Sequence, residues 1–233
     1  MIVHEKVVTS RHPPPRPEHR GSPAGTRASW ASAGGLMLAC ILYAGVRYHA
    51  RKGVPLDQFP LFIVNKALSL FALLGYAAAH ATNPARRLWP GLDYPLLNAR
   101  SPMLALATGS LAMHIILSLL LMRPEYFPVV FNGSVFSLSG GVSLLAGSMG
   151  AVIVASIVHR CTAPHAARMS TALKRSASAA LLLMGVHAGL LGWENWFGAA
   201  WPGGMPPITL IAVLAVLAAF VLRAVARFYS TPR

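Results

Sequence analysis

Apolar residues run along this chain in long blocks, not in the short alternating or one-sided patterns of a water-soluble fold. Six blocks stand out, at about 30–46, 59–81, 103–122, 138–158, 177–196 and 206–225. A helix needs roughly 20 mostly apolar residues to cross the hydrocarbon core of a bilayer. Inside lipid only helices and closed barrels satisfy their own backbone polar groups. The pattern therefore predicts an all-α fold: a polytopic membrane protein built as a six-transmembrane-helix bundle. The first block is short and weakened by Gly34 and Gly35. The fourth, SGGVSLLAGSMGA, has the small-residue spacing that permits close helix packing. No internal repeat of the kind that builds inverted transporter halves is visible.

Composition agrees with the pattern. Hydrophobic residues make up 55% of the chain and charged residues 11%, whereas soluble domains carry about 25% charged residues. The spans fill most of the 233 residues and leave no room for a soluble catalytic domain. Any flavin, nucleotide or substrate domain must then come from another polypeptide. Residues 1–28 read as a disordered, basic, Pro-rich cytoplasmic tail, since RHPPPRPEHRGSPAGTR has nothing with which to bury a core. The transmembrane domain covers 29–228 and a short cytoplasmic C-terminus 229–233. The tail is too long and Pro-rich for a signal-peptide n-region, so the first span is expected to be retained. His4, His12 and His19 in this tail have irregular spacing and read as solvated.

A net charge of +14 could suggest nucleic acid, but its distribution argues for a membrane. With six spans, fifteen basic residues fall on the side of the two termini and four (Arg47, Arg51, Lys52, Arg123) on the other; Lys66 lies within span two. Lys and Arg flanking the spans mark the cytoplasmic face. Both termini are therefore placed in the cytoplasm, and the protein in the cell's inner (plasma) membrane as a multi-pass protein. The expected charged contacts are lipid head groups, with no nucleic-acid partner. Cys40 inside span one and Cys161 in a cytoplasmic loop suggest neither a disulfide nor a metal site.

Two ionisable residues lie alone within apolar runs: His114 in MLALATGSLAMHIILSLLLM and His187 in SASAALLLMGVHAGLLGWENWF. Intramembrane ionisable residues are functional candidates by default. Spans three and five run in the same direction, and each histidine follows a basic anchor, Arg100 or Lys174, by 14 or 13 residues. At 1.5 Å per residue both sit roughly 20 Å from the inner ends. Equal depth on parallel helices suits two imidazoles gripping one haem. On the His114 side, Ala107, Ser110 and Ser118 could make room for a flat macrocycle, and a serine could bond the ring. Ala180 and Leu183 lie below His187, Glu194 above it, and Gly185 and Gly189 keep its surroundings thin. The alternative is that each histidine only packs, bonding a neighbouring helix.

Other polar residues are weaker candidates. His80 and His159, near the inner ends of spans two and four, read as interfacial residues or as neighbours of an inner cofactor or quinone. Lys66 could pair with a cofactor carboxylate or with Glu194, or it could snorkel outward. Trp193, Trp196 and Trp201 form an interfacial aromatic belt, which Tyr126 and Phe127 join. The outer loop 123–137 is aromatic, and 197–205 is short and full of turn residues. The 81–101 segment, with three prolines, reads as an ordered cytoplasmic connection. No Ser–His–Asp set, paired carboxylates, Gly-rich phosphate loop or zinc spacing occurs, and six acidic residues argue against metal-independent hydrolase chemistry.

The stretches NARSPMLALATGSLAMHIILSLLLM and LKRSASAALLLMGVHAGLLGW resemble the third and fifth helices of the ferric reductase-like transmembrane domain superfamily. NKALSLFALLGYA in span two and the six-span topology fit as well, so the resemblance covers roughly 60–225. It implies that His114 and His187 ligate the iron of one haem b toward the outer face. Smaller bacterial members include the haem-binding membrane subunit of the periplasmic methionine sulfoxide reductase system. Full-length members carry a second histidine about 13 residues earlier on each helix; here those positions fall near Ser101 and Lys174. The inner haem is therefore expected to be missing, and so is the fused flavin/nicotinamide domain. The implied function is a membrane cytochrome b, an oxidoreductase electron-transfer subunit carrying electrons through a single bis-His haem. Its donor would be a separate protein or a quinol, with a flavin or quinone near the inner face. The alternative is a non-enzymatic membrane subunit, or a small transporter, with the fold but no haem.

Overall fold

The structure is a computed structural model, and it describes residues 23–91, 99–162, 171–198 and 201–229. The expected tail up to residue 22, the middle of the 81–101 connection and the last four residues lie outside the described residues. Six helices are long and apolar enough to cross a membrane. They are α1 (Pro23–Ala44), α2 (Val64–Leu88), α3 (Arg100–Leu120), α4 (Leu138–Thr162), α5 (Thr171–Gly192) and α6 (Ile208–Tyr229).

The helices outrun the apolar blocks. α1 starts at Pro23, so residues 23–28, which composition alone assigns to the tail, are helical. Proline is well tolerated there because the first N–H groups of a helix have no intrahelical partner. α1 then widens into a π turn, Gly45–Ala50, and α2 is entered through a second one, Phe59–Ile63. α2 continues through Pro84 to Leu88, well past the expected end of its span at residue 81. Pro84 has no N–H, so the carbonyl of His80 lacks its usual helical donor.

α2 is the central post. It packs broadly on α3 and α6, and also on α1. The other extensive pairs are α4 with α5 and α5 with α6. Close approaches sit where small residues meet. A Cβ on Gly75 would lie 2.9 Å from that of Ala107, and one on Gly150 would lie 2.9 Å from Met184 Cγ. The Gly-rich span thus packs tightly, as its small-residue spacing permits. In return α2 has a polar side chain in its core, Asn65, which is fully buried. The outward faces stay apolar: Leu119, Leu145, Val152 and Val221 are each more than 60% exposed. In a bilayer that surface meets lipid tails.

The chain ends described here, the start of α1 and the end of α6, lie at one face. At the opposite face Tyr43, late in α1, donates to the carbonyl of Pro206 just before α6, at 2.6 Å. That face also carries a short hairpin in the 123–137 loop, Phe131–Asn132 with Val135–Phe136, which periodicity did not predict. Gly133, at φ 64°, makes its turn, and the Phe131 and Phe136 rings stack at 5.0 Å.

Candidate functional site

α3 carries His114 and α5 carries His187, and neither helix packs extensively on the other. α3 leans on α2 and α1; α5 leans on α4 and α6. The two imidazoles, each half-buried, therefore project from helices that remain separate.

Each ring is fixed through the same nitrogen. His114 Nδ1 lies 2.6 Å from Asn65 Oδ1. Asn65 donates its amide Nδ2 to Ser118 Oγ at 3.1 Å, so its Oδ1 accepts and the Nδ1 proton of His114 donates. Ser118 Oγ also comes within 3.3 Å of the same ring nitrogen. His187 Nδ1 lies 2.9 Å from the main-chain carbonyl of Ser143. A carbonyl can only accept, so this nitrogen also carries the proton. Ser143 Oγ, 2.9 Å from the same Nδ1, donates to the carbonyl of His187 at 3.0 Å. Gly147, one turn along α4, completes the backing: a Cβ there would lie 2.8 Å from His187 Nδ1.

The consequence lies at the other nitrogen. Among the described residues neither Nε2 has a hydrogen-bond partner. Imidazoles that donate Nδ1–H to a protein acceptor and leave Nε2 as a bare lone pair are in the form that metal-binding histidines take. Each imidazole thus has the donor chemistry of a metal ligand at Nε2. The described residues hold no group of three or more His, Cys, Asp or Glu able to bind a bare metal ion.

Of the small residues expected around His114, Ser118 comes within hydrogen-bond distance of the ring, as a serine there was expected to. Ala107 faces Gly75 on α2, and Ser110 is buried. Gly185 serves helix packing, with a would-be Cβ 3.1 Å from Val216 on α6. Glu194 is exposed on a short 3-10 turn, and Lys66 does not pair with it. The Lys66 ammonium instead sits 4.6 Å from the Phe127 ring centre and 5.1 Å from that of Phe62. Asn65 and Ser143 are the partners that sequence reasoning missed. Their signal was a polar residue inside an apolar run, Asn65 near the start of span two and Ser143 in the Gly/Ser-rich span four.

The other end of the bundle is built differently. His80 Nε2 accepts from Arg223 Nη1 at 3.1 Å, and the same Arg223 nitrogen donates to Ser178 Oγ at 2.7 Å. One arginine thereby ties α2, α5 and α6 together. Arg100 Nε donates to the carbonyl of Ala79 at 3.3 Å and joins α3 to the same level. Cys40 is buried and Cys161 exposed, both as free thiols.

Neither a known family model nor a curated protein matches this sequence.

Proposed function

We propose that this chain is a ferric reductase-like membrane cytochrome b, with both termini in the cytoplasm, that holds one haem between His114 and His187. A single observation supports this reading most. Both imidazoles are oriented by an Nδ1–H bond and keep Nε2 unpartnered among the described residues, on helices that do not pack extensively on each other. A packing role explains the Nδ1 bonds alone. It gives no task to the two Nε2 lone pairs, which have no hydrogen-bond partner among the described residues.

The chain's own residues then have defined tasks. His114 and His187 would hold the haem iron through their Nε2 atoms. Asn65 and the Ser143 carbonyl set the tautomer and aim of each ring, and Gly147 lets α4 close behind His187. A haem bound there would carry single electrons. The residues at the inner-ligand positions, Ser101 and Lys174, offer no imidazole, and the inner level is cross-linked by Arg223. Electrons would enter from a separate protein or a quinol, through a flavin or quinone near the cytoplasmic face.

The test is an optical one. Detergent-solubilised protein is expected to give a reduced-minus-oxidised spectrum of b type, with one haem per chain. Purified, folded protein with no such absorbance even after haem is added would refute the proposal.

A further inference from the structure

At the face away from the chain ends, basic side chains gather without acidic partners. Arg47 is only 4% exposed. Its Nη1 donates to the carbonyl of Met205, while its Nε is buried with no partner among the described residues. The π turn Gly45–Ala50 carries this guanidinium within 6.0 Å of the Tyr48 ring centre. On the same ring sits Lys52, its ammonium at 5.5 Å. Tyr48 in turn meets Phe62 edge-on at 5.5 Å, and Phe62 carries Lys66 at 5.1 Å. Three cations thus surround a pair of aromatic rings, and no ion pair joins any of them to a carboxylate among the described residues. Burial and the neighbouring Arg47 pull the Lys52 ammonium below the usual lysine range.

Such an arrangement is costly as it stands. Arg47 is the buried member, and a buried charge without a counter-charge is destabilising; Lys52 is exposed and Lys66 half-buried, so they add repulsion among like charges. A bound anion removes both penalties. Beside this arrangement, the Phe62 ring borders an open cavity of about 420 Å³ whose charged lining is Arg123 and Glu125.

We propose that Arg47, Lys52 and Lys66 form a binding site for one anionic oxygen group, a carboxylate or a phosphate, entering at this face. The rings of Tyr48, Phe62 and Phe127 hold the cations in place and exclude water from one side. The group can arrive on a free small anion or on a phospholipid head. The inference does not depend on haem, because it uses none of the histidine contacts.

The experiment uses the full chain in two settings. In neutral phosphatidylcholine nanodiscs, citrate and inorganic phosphate are titrated and followed by thermal shift. In parallel, native mass spectrometry compares retention of phosphatidylglycerol with that of phosphatidylcholine. Binding of citrate or phosphate that weakens about tenfold or more in Lys66→Gln or Lys52→Gln supports the site with a free anion as its ligand. Selective retention of phosphatidylglycerol, lost in the same variants, supports it with a lipid head group as its ligand. Lys66→Arg should keep the binding in either case, and Arg47→Lys should retain more of it than Arg47→Gln. No binding in either setting, or binding unchanged in folded Lys66→Gln and Lys52→Gln, overturns the proposal.

Discussion

His80 and the His114–His187 pair lie at levels marked by opposite ends of α2, and they differ in which ring nitrogen the protein occupies. At His80 the Nε2 lone pair is taken by Arg223, which also bonds Ser178. That imidazole is a structural acceptor, already satisfied. At His114 and His187 the protein occupies Nδ1 and leaves Nε2 bare. Three half-buried histidines in one apolar bundle therefore have different chemical futures. The difference comes from their neighbours: a cation donor beside His80, an amide and a carbonyl acceptor beside the pair.

The sharpest way to break this comparison is to delete the histidines one at a time. His114→Ala and His187→Ala should each abolish the b-type difference spectrum. His80→Ala should leave it unchanged, because its Nε2 already accepts from Arg223. A normal spectrum in His187→Ala would end the ligand assignment.

A smaller effect separates the two members of the pair. Asn65→Leu removes the acceptor that aims His114, and losing such a partner typically lowers metal-site affinity about 10–100-fold. Ser143→Ala should cost much less, since the acceptor for His187 Nδ1 is the main-chain carbonyl, which alanine keeps. Haem retention on a desalting column, compared across the two variants, measures the contrast; equal losses would contradict it.

The smallest effect belongs to the other end. Arg223→Gln shortens the link among α2, α5 and α6 and should lower stability by about 1–3 kcal/mol. The position and intensity of any haem band should stay as in the parent protein. Thermal unfolding in detergent, read beside the spectrum, distinguishes a structural link from a cofactor contact.

Much of the architecture was legible in the residues. The apolar blocks gave all six spans, because a membrane helix must be apolar along about its whole length. Their ends were not legible, since a polar extension such as TNPARRL (82–88) beyond a block carries no hydropathy signal, and α2 ran on through Pro84 to Leu88. The candidate pair was visible as isolated histidines. Its supports were not, because Asn65 lies 49 residues from His114 and Ser143 lies 44 from His187. The same limit applied to Lys66: its contacts with Phe62 and Phe127 depend on how a loop folds back over α2.

By itself, then, the sequence determined the spans, the uneven distribution of basic charge and the presence of two histidines deep in apolar helices. These are one-dimensional quantities, counted along the chain. The tertiary structure decided which ring nitrogen each histidine leaves bare, which arginine closes the far end, and which cations are left without a counter-charge. Those outcomes depend on side chains meeting across helices, at distances of about 3 Å, where a hydrogen bond either forms or does not.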